Sequence, residues 1–330
     1  MHKILITGAN GFIGRNFIRR YANKLNNKNT LLFVHGKIDK EFEKVINKRS
    51  LEYRQINLLK KESLGKWKHF DLIIHLAANT NTSERNQSAN NIGTKNLVGC
   101  VEMLDKNTHF IFTSTTAIYS GRKNCRIPIT DREIPIPSNE YGRAKLKAEN
   151  YLRNISSKKG FKLTILRFCT VYGKNTKKDG LFSIIKNDIK KGGLISRFDW
   201  PGLTSLVHVN DVADCVWLLS QKPPRLFHPE TYVVYADSLS LSQISSEICK
   251  AKKIKFSKIK LPHLFWKLGS VSRPNITLFE NLLPYPLYNM LWRFSLITDH
   301  ALWCESNKLK KRLPGWKPRK FDTGVYDVVS

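Results

Sequence analysis

The sequence predicts an α/β protein, a doubly wound parallel sheet of the Rossmann type followed by a smaller, mostly helical C-terminal region. Three observations indicate this. Short apolar runs alternate with longer amphipathic segments through the first half, as in parallel sheets covered by helices on both faces. A glycine-rich turn joins the first run to the first amphipathic segment. After about residue 172 helical segments dominate, and prolines interrupt the aromatic-rich segment 262–303.

The individual elements follow from local patterns of apolar residues. Strands are predicted at residues 3–7, 31–34, 71–76, 109–114 and 163–168. Helices are predicted between them at 12–25, 94–104 and 140–154. The second half adds helices at 181–191, 209–219 and 242–250 and a strand at 232–235. The change of pattern predicts one domain over residues 1–172 and a second region, partly interleaved with it, over 173–330.

Composition excludes several classes of protein. The chain of 330 residues is 41% hydrophobic, which excludes a disordered chain despite a net charge of +30. The charge suggests polyanionic partners, but no nucleic-acid-binding motif is present, and we predict no nucleic-acid partner. The uncharged stretch 281–292 is shorter than a spanning helix and contains prolines, so no transmembrane segment is predicted. The six scattered cysteines indicate neither a metal site nor disulfides, and a cytoplasmic protein is expected.

The turn after the first strand predicts a dinucleotide-binding site. Gly8 permits the tight turn, Gly11 lets the backbone approach a pyrophosphate, and Gly14 allows close packing of helix and strand. Backbone N–H groups at the start of the helix would hold the phosphates. The candidate cofactor-binding residues in this turn are Gly8, Asn10, Gly11, Phe12, Ile13 and Gly14.

The end of the second strand bears on the choice between NAD and NADP. An acidic residue there would bind the ribose 2′-hydroxyl of NAD. Here the strand ends in His35 and Lys37, and Asp39 lies further on. Lys37, with Arg15 after the glycine turn, would meet a 2′-phosphate. The pattern favours NADP and leaves NAD open.

Three polar residues form a candidate catalytic set. Tyr141 and Lys145 lie four residues apart on a predicted helix, so they share one face, and a nearby ammonium group is expected to lower the pKa of a tyrosine. The strand at 109–114 ends at Ser114 and Thr115, and ligands in such sheets bind beyond the carboxyl ends of the strands. A hydroxyl there would bind a substrate alcohol or carbonyl group.

As a set, the motifs resemble the extended short-chain dehydrogenase/reductase family, in its nucleotide-sugar epimerase/dehydratase group. The resemblance extends through nearly the whole chain. It rests on the segments 7–14 (TGANGFIG), 75–78 (HLAA), 90–97 (NNIGTKNL), 112–119 (FTSTTAIY), 141–145 (YGRAK), 167–173 (RFCTVYG), 206–213 (LVHVNDVA) and 313–319 (LPGWKPR).

The resemblance implies roles for particular residues. Thr115 is the substrate-side hydroxyl, Tyr141 the acid/base, and Lys145 its electrostatic partner and a ligand of the cofactor ribose. Hydride transfer takes place at the nicotinamide. Further cofactor-binding residues are implied at Leu76, Ala77, Ala78, Asn90, Ser114, Tyr141 and Phe168, in addition to His35 and Lys37. Asn79 and Thr115 are implied to bind substrate, and a homodimer is expected.

One departure from the family pattern narrows the expected reaction. Family dehydratases carry an Asp-Glu pair directly after the catalytic Thr, where this chain has Thr116 and Ala117. We therefore expect a 4-keto-sugar reductase or a 4-epimerase acting on a nucleotide-activated sugar. The alternatives are a 3-beta-hydroxysteroid- or flavonol-type alcohol dehydrogenase of the same family and a non-catalytic NAD(P)-binding relative.

Basic residues cluster in the second half. Residues 250–273 contain eight Lys or Arg and no acid. One interpretation is attraction of a nucleotide diphosphate, for which Arg273 and Arg293 are candidate ligands. Another is peripheral contact with anionic lipid. A third is that the chain is simply rich in Lys throughout.

Overall fold

The computed structural model describes residues 3–25, 27–125, 127–176, 180–262, 264–266, 273–298 and 302–329. Its strands are β1 Ile4–Thr7, β2 Thr30–Val34, β3 Glu52–Gln55, β4 Trp67–His69, β5 Leu72–His75, β6 Val101–Met103, β7 His109–Thr115, β8 Lys162–Phe168, β9 Thr170–Tyr172, β10 Leu203–His208, β11 Glu230–Val234 and β12 Asp237–Ser240. Its helices are α1 Phe12–Tyr21, α2 Lys40–Lys48, α3 Lys61–Leu64, α4 Ser88–Gly99, α5 Glu140–Lys159, α6 Leu181–Lys190, α7 Val209–Ser220, α8 Leu241–Ala251, α9 Tyr285–Thr298, α10 Lys308–Arg312, α11 Phe321–Gly324 and α12 Tyr326–Val329. Three 3-10 helices span Thr116–Tyr119, Ile195–Arg197 and Arg273–Glu280.

Seven parallel strands form the central sheet, in the order β11-β8-β7-β5-β1-β2-β3. Apolar side chains on both faces are buried, as a doubly wound sheet requires. On β7, Ile111 packs in the cluster that contains residues of α1 and α7. Phe110 and Phe112 alternate to the opposite face and pack with residues of α4 and α5. The predicted Rossmann-type fold is confirmed.

The first half contains elements that the sequence analysis does not predict, namely α2, β3, α3, β4 and β6, and one predicted helix has other ends. The edge strand β3 was not predicted, because all four of its residues are exposed and none of the usual apolar alternation is present. The predicted helix 94–104 is wrong at both ends. Helix α4 begins at Ser88, and β6 follows it from Val101 and pairs with β4. Asn90 and Asn91 weaken the helical pattern of the first turn, and Val101 favours a strand.

The second half of the chain returns to the central sheet and also builds a smaller layer. Strand β11 pairs with β8 at the edge of the seven-stranded sheet. Strands β12, β10 and β9 form a separate sheet, and an apolar cluster joins α6, α8 and the C-terminal helices to it. The division of the chain at residues 172 and 173 stays a prediction.

The structure describes the side chains of all six cysteines. All six cysteines are buried free thiols. No group of His, Cys, Asp or Glu side chains in the described ranges has the arrangement of a metal site. None of the described helices is both long enough and apolar enough to cross a bilayer.

A buried ion pair anchors helix α5 to the central sheet. Arg167 on β8 donates two hydrogen bonds to Glu149 on α5, with N–O distances of 3.1 and 2.6 Å. Its remaining terminal nitrogen donates to the hydroxyl of Tyr119. Glu149 is fully buried and Arg167 is 7% exposed. Because a buried charge is costly without a partner, this network fixes α5 against β8 and the 3-10 helix Thr116–Tyr119.

We expect Glu149→Ala to destabilise the protein by about 3–5 kcal/mol, because it leaves the Arg167 guanidinium buried without its counter-ion. Urea unfolding of the variant and the wild type measures this difference in free energy. Glu102→Ala, at an exposed position of β6, is the matched control and should change stability by less than about 0.5 kcal/mol. Equal effects of the two substitutions would contradict the anchoring role.

Candidate active site

The glycine turn lies where three strand ends converge. Gly8 has φ +68°, and a Cβ there would come within 2.6 Å of the backbone of Ala77, beyond the end of β5. A Cβ on Gly14 would come within 2.2 Å of the carbonyl oxygen of Gly8. Both positions therefore exclude larger residues, for the reasons of turn and packing that the sequence indicates. Gly11 is the N-cap of α1, whose first turn contains no acidic residue and no side-chain cap.

A buried hydrogen-bonded chain holds the segment after β5. The two ring nitrogens of His75 lie 2.6 Å from Thr7 Oγ1 and 3.0 Å from Thr94 Oγ1. Thr94 Oγ1 donates to the carbonyl of Asn90, and Thr7 Oγ1 accepts from the N–H of Ala77. Burial lowers the pKa of His75 to about 3, so the ring is neutral. This chain places Leu76, Ala77 and Ala78 beside the glycine turn.

Asn90 holds Asn79 in place by two hydrogen bonds. Asn90 Nδ2 donates to the carbonyl of Asn79 at 2.8 Å, and Asn90 Oδ1 accepts from its N–H at 3.1 Å. The Asn79 side chain in turn donates to Glu84. Asn90 is 1% exposed, so its direct role here is positioning of the 79–84 loop. Contact of either residue with a ligand stays a prediction.

Asp39, which lies several residues beyond β2 in the sequence, is connected to the glycine turn through Arg15. Asn10 donates to the carbonyl of His35 and accepts from its N–H, which ties the glycine turn to this strand end. Arg15 donates to the carbonyl of Asn10 at 2.7 Å and is ion-paired with Asp39. Hydrogen bonding to the N–H of Phe42, and then the Arg15 guanidinium, lower the pKa of Asp39. Lys37 is exposed.

The three candidate catalytic residues lie together at the carboxyl end of β7. The hydroxyl of Tyr141 lies close enough to the Thr115 hydroxyl for Thr115 to lower its pKa, and Thr115 Oγ1 itself accepts from the N–H of Ala117 at 3.1 Å. Lys145, one turn along α5, is 1% exposed, and its Nζ donates to the carbonyl of Thr113 at 2.8 Å. That Nζ also lies 4.8 Å from the centre of the Phe112 ring. One helix face and one strand end therefore present a hydroxyl, a phenol and an amine.

Two residues that the sequence analysis overlooked allow this approach. Asn139 caps α5 by accepting from the N–H of Gly142 at 2.8 Å. A Cβ on Gly142 would lie 2.8 Å from the carbonyl oxygen of Ala117. Glycine directly after Tyr141 therefore lets the first turn of α5 pack tightly on the 3-10 helix behind Thr115. An Asn three residues before a helical Gly is the signal that could have shown the cap.

The expected lowering of the pKa of Tyr141 by Lys145 is wrong for this structure. Burial raises the pKa of the phenol to about 12, and the Thr115 side chain has the opposing effect. Burial also lowers the pKa of Lys145 to about 7, against the attraction of Glu149. Lys145 thus carries only part of its positive charge at neutral pH, and burial decides the direction of the shift in the pKa of Tyr141.

The residues at the end of β7 fit a bound dinucleotide. Ser114 Oγ is buried and has no hydrogen-bond partner among the described residues. A buried hydroxyl in that state fits a ligand that supplies the missing partner. Gly8 and Gly14 leave no room for a side chain in the turn nearby. Phe168, paired with Thr115 across β7 and β8, is buried at the same edge.

Helix α9 packs on the loop that begins at Asn79 and on the segment before α5. Tyr285 donates to the carbonyl of Thr82 at 3.2 Å, and Arg293 donates to the Thr82 hydroxyl at 2.9 Å. Trp292 donates to the hydroxyl of Ser138, next to the N-cap of α5. Arg293 is thus brought close to the loop that begins at Asn79. Arg273 begins a 3-10 helix, and its side chain lies outside the described residues.

The fold and the glycine turn define the class: a Rossmann-type α/β protein with a dinucleotide-type turn at the carboxyl edge of its sheet. The model of the family described as NAD dependent epimerase/dehydratase matches residues 4–234. The chain belongs to this family.

Individual relatives agree with this membership. A UDP-glucose 4-epimerase of Mycoplasma genitalium is 26% identical over 184 residues, which are 52% of this chain and 53% of that protein. The chain thus spans about half the length of this curated relative. A dTDP-glucose 4,6-dehydratase of Streptomyces venezuelae with NAD bound has a TM-score of 0.72 at 16% identity, covering 99% and 95% of the two chains. RMD of Pseudomonas aeruginosa, complexed with NADPH, has a TM-score of 0.68 at 16% identity, covering 100% and 98%. These two likenesses show the fold.

We expect Lys145→Met to gain stability relative to the wild type at neutral pH and to lose this advantage as the pH rises. The folded protein binds the Lys145 proton only below a pKa of about 7, whereas the unfolded chain keeps it up to the ordinary value of 10.5. Unfolding therefore takes up a proton between these values, and wild-type stability rises with pH in that window. Urea unfolding at about pH 7 and pH 9 measures the change. A constant difference between the two proteins would contradict the lowered pKa.

Proposed function

We propose that this protein is an NAD(P)-dependent oxidoreductase that acts on a nucleotide-activated sugar, as a 4-keto-sugar reductase or a 4-epimerase. The proximity of the Tyr141 and Thr115 hydroxyls, with Lys145 on the next turn of α5 and bonded to the carbonyl of Thr113, is the observation that carries the proposal. When bound, the nicotinamide cofactor supplies or accepts a hydride. Membership of the epimerase/dehydratase family and a curated 4-epimerase relative support the sugar substrate.

In the proposed reaction Tyr141 Oη accepts the proton of a sugar hydroxyl during oxidation, and it donates a proton to the carbonyl oxygen during reduction. The Thr115 hydroxyl lies beside that phenol, so a sugar oxygen placed between them would contact both. Because burial raises the pKa of Tyr141 to about 12, the phenol is protonated at neutral pH and is ready to act as the acid in carbonyl reduction. The reverse direction needs a cationic Lys145, whose own pKa of about 7 makes that charge sensitive to its surroundings.

The residues beside Thr115 favour reduction or epimerisation over loss of water. Elimination needs a further acid and base next to the reacting carbons. The two residues after Thr115 are Thr116 and Ala117, both buried in the 3-10 helix. The nearest acidic residue along α5, Glu140, pairs with Arg143. These observations support a reaction in which Tyr141 is the one proton-transferring group.

The side of the site away from the glycine turn supports a phosphate-bearing substrate. Arg293 projects from α9 to the loop that begins at Asn79. We propose that Arg293 binds the diphosphate of the substrate and Asn79 its sugar, with Arg273 as a further phosphate ligand. The substrates of a 3-beta-hydroxysteroid- or flavonol-type alcohol dehydrogenase carry no diphosphate that these cations could bind. A non-catalytic relative would not require the Tyr141 and Lys145 pair, because it transfers no proton. We also propose a cytoplasmic homodimer with no nucleic-acid partner.

We expect Tyr141→Phe to lower turnover by at least about 100-fold while leaving the affinity for NADPH within about twofold, because the substitution removes only the proton-transferring hydroxyl. Activity with a panel of UDP-, GDP- and dTDP-linked sugars and 4-keto sugars measures turnover, and calorimetric titration measures cofactor binding. Tyr151→Phe on the same helix is the matched control, since Tyr151 lies against Lys95 on its outer side. Retained activity in Tyr141→Phe would refute the proposed chemistry.

We further propose that NADP is preferred over NAD, with Lys37 and Arg15 as ligands of the 2′-phosphate. In this structure Arg15 is ion-paired with Asp39, whereas Lys37 is exposed just after the end of β2. Lys37→Glu should weaken NADPH binding by about tenfold or more and spare NADH, because the new carboxylate repels a phosphate. Lys44→Glu, on α2, is the control. Equal loss of both cofactors, or of neither, would count against the preference.

A further inference from the structure

The C-terminal half exposes an unusual density of large apolar side chains. Eight such residues of the described chain lie between positions 264 and 291: Leu264, Phe265, Leu278, Phe279, Leu282, Leu287, Met290 and Leu291. Leu282 and Leu264 are 75% and 73% exposed. Single exposed apolar residues are ordinary on a protein surface, but a contiguous group marks an interaction site.

Helix α9 orients part of this group on one face. Leu287, Met290 and Leu291 are spaced by three and four residues and are exposed, so they lie along one stripe. Tyr288, Asn289 and Trp292 are buried on the opposite side. Tyr288 donates to the carbonyl of Ser138. The inner face therefore packs on the body of the protein, whereas Leu287, Met290 and Leu291 stay exposed on the outer face.

Aromatic contacts connect this stripe to the second exposed segment. Phe294, one turn beyond Met290, packs edge to face on Trp200 with ring centres 5.9 Å apart. Trp200 also contacts Trp266, at 4.9 Å, and Trp266 lies against Phe265. The exposed side chains of Leu264 and Phe265 are thus linked to α9 through a shared aromatic cluster. We name this combined surface, Leu264, Phe265, Leu287, Met290 and Leu291, the apolar strip.

Unpaired lysines border the apolar strip. Ile259 pairs with Phe198, whose ring lies 6.2 Å from that of Trp200, so the flanking residues Lys258 and Lys260 run beside the aromatic cluster. Both lysines are exposed, and no ion pair among the described residues involves either. Further exposed lysines precede them at positions 252, 253 and 255. The acidic neighbour Asp199 is engaged in accepting from the N–H of Leu261.

Further exposed apolar residues lie next to the lysine border. Leu194 and Ile195 are exposed at the 3-10 helix Ile195–Arg197, and Trp200 donates to the carbonyl of Ile195 at 2.7 Å. Arg197 from the same helix donates to the carbonyl of Ser257, on the lysine-bearing segment. The 3-10 helix Ile195–Arg197 therefore joins exposed apolar residues to Trp200 and to the lysine-bearing segment.

We propose that the apolar strip and its lysine border bind the surface of an anionic lipid bilayer, with the apolar side chains inserted at the level of the acyl chains and the lysines at the headgroups. Apolar residues beside unpaired cations match both components of such a surface. A second copy of this chain is a poorer occupant, because the same lysines would face one another across the contact. Membrane attachment is independent of the catalytic proposal, since it involves neither Tyr141 nor the glycine turn.

Co-sedimentation of the full chain with vesicles tests the proposal. We expect binding to phosphatidylcholine vesicles that contain about one-third phosphatidylglycerol, no binding to pure phosphatidylcholine, and weakening at high salt. The variant Leu287→Ser/Met290→Ser/Leu291→Ser should bind at least roughly 100-fold more weakly. The variant Lys258→Gln/Lys260→Gln should bind roughly 30-fold more weakly, because each lysine contributes about fivefold to the affinity and the two contributions multiply.

The triple variant Tyr53→Ser/Leu59→Ser/Met103→Ser removes exposed apolar residues of the first half and is the matched control, expected to bind like the wild type. Melting temperatures close to that of the wild type confirm that each variant is folded. Wild-type protein that fails to sediment with the anionic vesicles at low salt would overturn the proposal. So would loss of self-association in the apolar variant together with unchanged vesicle binding, or binding to duplex DNA that exceeds binding to vesicles.

Discussion

The buried ion pair between Arg167 and Glu149 is the interaction on which the rest of the site depends. It joins β8 of the central sheet to the middle of α5, and through Tyr119 it also reaches the 3-10 helix that follows β7. On α5, Lys145 lies about one turn and Tyr141 about two turns before Glu149. Because the pair is buried, it cannot relax into water, and the helix has one position relative to the strand ends.

From this anchor the geometry of the site follows by short-range packing. The cap by Asn139 and the missing side chain of Gly142 bring the first turn of α5 against the residues after Thr115. Burial then acts on both titratable groups in opposite directions, raising the pKa of Tyr141 and lowering that of Lys145. The same desolvation that makes the two groups costly to bury leaves Tyr141 uncharged at neutral pH and Lys145 only partly charged, so that an approaching ligand can change the protonation of Lys145.

Features that depend on local sequence could be predicted, whereas features that depend on distant segments or on exposed strands could not. Apolar runs such as 71–76 and 163–168 mark strands buried on both faces, and the parallel sheet followed from them. The edge strand Glu52–Gln55 has no buried face, so no hydrophobic pattern could show it. Glycine spacing predicted the turn, because steric exclusion at Gly8 and Gly14 is local. The Arg15–Asp39 pair and the sign of the pKa shift at Tyr141 depend on distant segments meeting, which spacing does not encode.

The central claim is that the Thr115, Tyr141 and Lys145 set transforms the sugar of a nucleotide sugar. The most direct measurement is proton nuclear magnetic resonance of the wild-type protein, supplied with NAD or NADPH and with UDP-, GDP- and dTDP-linked hexoses and 4-keto hexoses. We predict that one of these sugars is inverted at a carbinol carbon or that one 4-keto sugar is reduced to the alcohol. Cofactor binding without any change in any sugar, accompanied by oxidation of a steroid or flavonol alcohol, would contradict it.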